Sequence, residues 1–266
     1  MAPCCVVGDE LKKPSGGICK LCLKPAVLRR SHILPDMAYA GIIEKNLHPR
    51  MVIVQDVVEG RISDKTQQTG YREWLLCENC ELRFSVYERY ASEHFFRAKL
   101  TVPTSESDRL VRISGLNYAP LKLYLLSVLW RASVAEGRFF RCVDLGDRHE
   151  ERLRQMLDAE DPGKADEYGC LITPLLPESF TRVEHLLSMP ARTRTDQHNT
   201  CLFQYRGFVF HYYVSRHRIS PGLRQTFLNE EGGLTMLWAR MGNFAPIRGL
   251  WNRTVDAIHR EKRTQG

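Results

Sequence analysis

No stretch of this chain approaches the roughly 20 apolar residues needed to cross a bilayer. The richest run, Leu121 to Trp130, is short and carries Lys122. Met1 to Lys13 has no basic start leading into an apolar core, so no secretion signal is read there. A cytoplasmic location with no membrane partner is therefore expected. Glycine-rich phosphate loops of the Walker or Rossmann type are missing, and so is a serine nucleophile elbow. Those absences remove the commonest ATPase, dehydrogenase and hydrolase readings. Internal repeats and low-complexity tracts are absent too. The nine cysteines are an odd number and unevenly spaced, which does not suit a secreted disulfide scaffold.

What is present is ordinary in bulk and uneven in detail. The 266 residues are 43% hydrophobic and 26% charged, enough for one large domain or two modest ones. The net charge of +7 is concentrated at one end. Residues 1–100 sum to +3, residues 101–189 to −3, and residues 190–266 to +7. Eleven of the twelve basic residues in the last segment are Arg, whose planar fork suits phosphate better than Lys does. Nucleic acid is the partner this implies; a solvated basic surface is the plainer alternative.

Four of the cysteines form two Cys-x2-Cys pairs, Cys19/Cys22 and Cys77/Cys80, with 54 residues between them. One tight turn lets two thiolates reach the same ion, and two such turns complete a tetrahedron. The four residues are therefore predicted to hold one structural Zn2+, closed to substrate. A redox Cys-x2-Cys is the alternative. Cys142, Cys170 and Cys201 show no metal spacing and are read as small buried hydrophobes. Cys4 and Cys5 fall in a loose leader, residues 1–17.

The fold class expected is α+β. A knuckle turn at Cys19–Cys22 precedes a short strand over Val27 to Ile33, ended by Pro35. Met51–Val54 and Val57–Val58 suit a strand pair, and Glu59 to Gly70 a loop. A helix follows the second pair, because Cys80, Phe84, Tyr87, Ala91 and Phe95 recur on one helical face. Thr101 to Asp108 reads as a linker, which divides the chain into a zinc-binding domain over 18–100 and a mixed α+β domain over 109–266. In the second, Pro120 to Glu136 and Asp147 to Ala159 read as helices. Cys201–Tyr205 and Phe208–Tyr212 alternate around Arg206-Gly207, which signals a hairpin. Leu234 to Trp238 suits a strand and Pro246 to Arg260 a closing helix. Arg192 and Arg194 are expected in a loop before the hairpin. With Arg216 and Arg218 they are the candidate nucleic-acid contacts, and His198, His211 and Tyr213 lie beside them. Phe203, Phe208 and Phe210 read as core.

With those residues placed, the segment 18–97 resembles the HNH endonucleases, the zinc-knuckle type of the ββα-metal (His-Me finger) group. The resemblance rests on Cys19-x2-Cys22, on Ser31-His32-Ile33-Leu34-Pro35, and on Leu75-Leu76-Cys77-x2-Cys80 with its helix. It implies an N-terminal ββα domain that hydrolyses DNA phosphodiester bonds with Mg2+ or Mn2+. His32 matches the family's general base, and an imidazole neutral near pH 7 suits that task. The family's metal ligands are replaced: Ser31 stands where Asp or His is usual, and Glu81 where His is usual. Glu81 can still bind magnesium, with Glu73 or Glu88 in support. The family's middle Asn has no clear counterpart; Asn46 and Glu73 are the nearest. The alternative reading is a catalytically inactive zinc module that binds nucleic acid or protein. Leu126 to Arg131, with the second cysteine pair and Glu88, is also similar to uncharacterised bacterial proteins found among phage-defence genes. That likeness implies an antiviral setting and a protein partner or activator.

Overall fold

The computed structural model describes residues 16–40, 53–56, 61–63, 70–177, 183–195, 197–214, 218–245 and 248–249. It is a mixed α+β protein. In chain order, β1 (Gly17–Ile18) and β2 (Pro25–Ala26) pair across the first cysteine turn. β3 (Leu28–His32) follows at once, and β4 (Ile53–Asp56) pairs with β5 (Arg61–Ser63). The polar loop expected from residue 59 thus contains a strand. β6 (Arg72–Cys77) runs antiparallel to β3 and leads directly into α1 (Glu78–Tyr90). Cys77 caps α1 in an extended conformation. The helix therefore begins inside the second cysteine pair, not after it.

The β3–β6 register slips between Arg29 and Arg30: Arg29 faces Leu76 but Arg30 faces Trp74. Leu75 is the extra residue, a bulge. It explains why consecutive residues Leu75 and Leu76 are both fully buried. It also turns the Leu75 carbonyl outward, where the backbone N–H of Lys20 donates to it at 3.0 Å. The bulge thereby fastens the first cysteine turn to the second half of the module.

Past α1 the helix widens into a π turn, Ala91–Phe96. β7 (Leu110–Ile113) then leads to α2 (Tyr118–Val134) and α3 (Asp147–Asp158). β8 (Cys170–Pro174), β9 (Ser188–Thr195), β10 (His198–Tyr205) and β11 (Phe208–Tyr213) build one antiparallel sheet in the order β8-β11-β10-β9. The short helix α4 (Pro221–Arg224) and β12 (Leu234–Leu237) follow, and β12 pairs with β7. Arg206 (φ 55°) and Gly207 (φ 75°) form the two-residue turn between β10 and β11, both in the left-handed region that such a hairpin needs. Arg192 and Arg194, expected in a loop, lie on strand β9. Apart from Arg248 and Gly249, which are helical, the expected helix over 246–260 lies outside the described residues, as do Arg216 and Asn46.

α2 is the centre of the molecule. Every residue from Leu121 to Ala132 is buried, not only one stripe. Continuous burial explains the polar exceptions: each has its partner inside. Lys122 Nζ donates to the carbonyls of Ala165, Glu167 and Tyr168 at 2.8–3.2 Å. Tyr124 Oη and Tyr205 Oη share a hydrogen bond of 2.9 Å. A single hydrophobic cluster extends from Cys19 and Leu76 through Phe84 and Trp130 to Phe203 and Tyr212. The segments on either side of 101–108 therefore share one core. No helix among the described residues is long and apolar enough to cross a membrane.

Candidate metal centre

The four sulfur atoms of Cys19, Cys22, Cys77 and Cys80 all lie within 4.8 Å of one another. Cys22 Sγ and Cys77 Sγ are 3.9 Å apart, far too long for a disulfide bond of about 2.0 Å. A tetrahedral zinc with bonds of about 2.3 Å sets its sulfurs about 3.8 Å apart, so the donor set fits a metal ion such as zinc. The first turn is shaped by its own backbone. Cys19 N donates to Lys24 O at 3.0 Å, and Leu23 N to Cys19 O at 2.9 Å. Leu23 adopts φ 57°, a left-handed position usually left to glycine. The second pair sits at the start of α1, where unpaired backbone N–H groups favour negative charge, including a thiolate.

Cationic side chains surround the sulfurs and tie them to the rest of the protein. Arg83 Nη2 donates to Cys80 Sγ at 3.3 Å and to Asp158 of α3 at 3.0 Å. Arg154 Nη1, also from α3, donates to Leu21 O at 2.7 Å. Lys20 Nζ donates to Val134 O at the end of α2. Burial pushes the Cys80 thiol well above its ordinary value, and Arg83 pulls against that shift. The Cys80 thiol must therefore release its proton when a metal enters. Arg83 and Arg154 were not singled out from the sequence. Arg83 three residues after Cys80, one helical turn on, was the available signal.

The residues expected to act on a phosphodiester are distributed differently. Ser31 is fully buried, and its hydroxyl donates to Glu81 at 2.5 Å. His32 points to the other face of β3, as strand alternation requires. There its Nε2 accepts from Arg72 Nε at 2.7 Å, so the ring proton resides on Nδ1. Its side chain is 17% exposed, and Asp36 lies 3.5 Å away. Burial first, and then the Arg72 charge, lower the His32 pKa to about 4, so the ring is neutral at pH 7. Glu73 serves the backbone: its carboxylate accepts from Glu136 N at 3.0 Å and Gly137 N at 2.9 Å. Ser31 and Glu81 are thus brought together, while His32 and Glu73 are each held elsewhere.

Arg131 joins these parts and was missed as a site residue. Only 1% of its side chain is exposed. Nη1 donates to His32 O at 2.8 Å, and Nη2 pairs with Glu88 at 2.7 Å. The guanidinium carbon lies 5.3 Å from the Phe84 ring centroid, a cation–π contact. Glu88 therefore neutralises Arg131 instead of supporting Glu81. Arg192 and Arg194 on the sheet and Arg218 beyond its last strand are exposed, whereas His198, His211 and Tyr213 are buried and offer no grip on a ligand. Burial lowers the His211 pKa to about 4. No family model, curated protein or solved structure matches the chain, so its chemistry is read from this site alone.

Proposed function

We propose that this protein is a zinc-held, HNH-like ββα module that binds nucleic acid, DNA in the first place, without cutting it. Zn2+ closes the four-cysteine site, so the metal contributes fold and not chemistry. The observation carrying the reading is that His32, Glu81 and Glu73, the three side chains singled out for hydrolysis, each already accept a hydrogen bond from within the protein. His32 Nε2 takes a hydrogen bond from Arg72, Glu81 takes one from Ser31, and Glu73 takes two from the backbone. A general base needs a free lone pair aimed at water, and a Mg2+ or Mn2+ site needs free carboxylate oxygens. In a phage-defence setting such a module would recognise nucleic acid or an assembly partner.

One observation favours a second reading, an HNH-like nuclease. Ser31 and Glu81 stand where the resembling family binds its catalytic metal, one residue from an uncharged imidazole. Movement of Arg72 would free that ring. The two readings separate in plasmid cleavage with magnesium or manganese, comparing the wild type with His32→Ala at equal zinc content. No cleavage by either protein, with DNA retained in a gel-shift assay, is the expected outcome. Cleavage that His32→Ala abolishes would overturn the proposal and make His32 the base.

A further inference from the structure

We infer that Arg138, Arg141, Arg192 and Arg194 form a track for the phosphates of a nucleic-acid strand lying along the free edge of the β8-β11-β10-β9 sheet. The inference rests on the nucleic-acid reading above and gives it a surface.

Arg138 and Arg141 flank Phe139-Phe140 on the 3-10 turn Arg138–Phe140. Three residues per turn stack positions i and i+3, so both arginines leave from one side. The turn is firmly placed. Glu73 holds Gly137 N and Glu136 N. Phe139 stacks on Tyr71 with ring centroids 4.3 Å apart, and Phe140 is 1% exposed. This is the use the structure finds for Glu73: it anchors the turn that presents two arginines.

Arg192 and Arg194 alternate on β9 and therefore share a face, about 6.8 Å apart along the strand. β9 is the outer strand of the sheet, with no strand beyond it among the described residues. It packs against the 138–140 turn. Turn and strand thus bring their arginines to one place. All four are exposed, and among the described residues none has an ion-pair partner. The nearby carboxylates are otherwise engaged: Glu136 pairs with Lys20, and Asp144 accepts from Gly146 N.

Four unpaired guanidinium groups on rigid backbone match a row of phosphates, each able to make two parallel hydrogen bonds. The free edge of β9 adds backbone N–H donors. An acidic membrane would want apolar side chains to insert beside the charges, and the turn's two rings are packed inward.

The test is fluorescence anisotropy of labelled duplex and single-stranded DNA with the full chain, over a salt series. Four phosphate contacts contribute a slope of about −3.6 in log K against log salt for duplex, or about −2.8 for a single strand. Arg138→Gln/Arg141→Gln and Arg192→Gln/Arg194→Gln are each expected to flatten the slope by about half of that, and the quadruple variant by all of it. The Arg→Lys quadruple should keep the slope, and Lys164→Gln, at an exposed position among Asp161, Asp166 and Glu167, should change nothing. Equal zinc content and melting temperature establish that each variant is folded. A wild type that binds while the quadruple Gln variant binds with the same slope overturns the track and leaves the nucleic-acid reading standing. A wild type that binds neither DNA overturns both. Binding to phosphatidylserine vesicles but not DNA, lost in the quadruple variant, overturns the track in favour of a membrane surface.

Discussion

The β3–β6 pair with its helix α1 and the four-stranded sheet β8-β11-β10-β9 differ in what holds them together. The first has only two strands, and an isolated two-stranded ladder is marginal in water. Its cohesion comes from four thiols meeting at one point and from cationic side chains of α1 and α3 bracing them. The sheet has no such point. Its inner face stacks Tyr205 on Phe210 at 4.4 Å and sets Phe203 edge-on to Tyr212 at 5.4 Å. None of those four rings is more than 1% exposed. One region can therefore draw on a metal ion at its four cysteines as well as on the shared core; the other is held by packing alone. α2 touches both, so the comparison can be broken as well as sharpened.

The largest effect belongs to the metal. Structural zinc sites in small modules are worth about 10–16 kcal/mol of apparent folding free energy at neutral pH. Chelation, or Cys77→Ser, is expected to abolish hydrogen-exchange protection in β3, β6 and α1 while β10 and β11 stay protected. Simultaneous loss in β10 and β11 would mean that the shared core makes one cooperative unit, and the distinction between the regions would fail.

Arg131 tests the joint between them. Replacing it with Met keeps the length and apolar stem but strips Glu88 of its counter-charge and leaves His32 O without its donor. Removing one partner of a buried pair costs about 3–5 kcal/mol, and Glu88, 23% exposed, places this case near about 3 kcal/mol. The drop would appear in the denaturation midpoint. Arg131→Met/Glu88→Gln should recover part of it, since the uncompensated charge is then gone. No recovery would show that Arg131 acts through its contacts to His32 O and Phe84 instead.

The same two regions explain what the sequence disclosed. Ligand spacing is a local signal, so the cysteine cluster was legible at a separation of 54 residues. The hairpin β10–β11 was legible because alternating apolar residues and Arg206-Gly207 are both local. β9 was not: an edge strand is half wet, and Ala191, Arg192, Thr193 and Arg194 carry no apolar alternation. Arg131 and Lys122 were hidden because a charge in an apolar helix is normally assigned to its wet face. Here α2 has none between Leu121 and Ala132, and partners from distant segments satisfy both. Glu73 misled for a related reason. A carboxylate beside a cysteine pair looks like a ligand, and only the fold brings Gly137 N to it.

The smallest effect compares two residues in left-handed backbone, one per region. Leu23 (φ 57°) closes the first cysteine turn with its side chain 54% exposed. Left-handed geometry costs a side-chain-bearing residue roughly 1–2 kcal/mol, and glycine returns about 0.5–1 kcal/mol of that as unfolded-chain entropy. Leu23→Gly is therefore expected to stabilise the zinc-loaded protein by about 0.5 kcal/mol, read as a slightly higher melting temperature. Arg206 (φ 55°) is the counterpart in the hairpin, where Asn-Gly is the preferred pair. Arg206→Asn gains turn preference but loses the bond from Arg206 Nη1 to Ala40 O, which at 3.4 Å is long and weak. Its net effect should be smaller still. If Leu23→Gly instead lowers stability while Arg206→Asn is neutral, the Leu23 side chain is packing where it looks exposed, and the metal turn is held by more than its sulfurs.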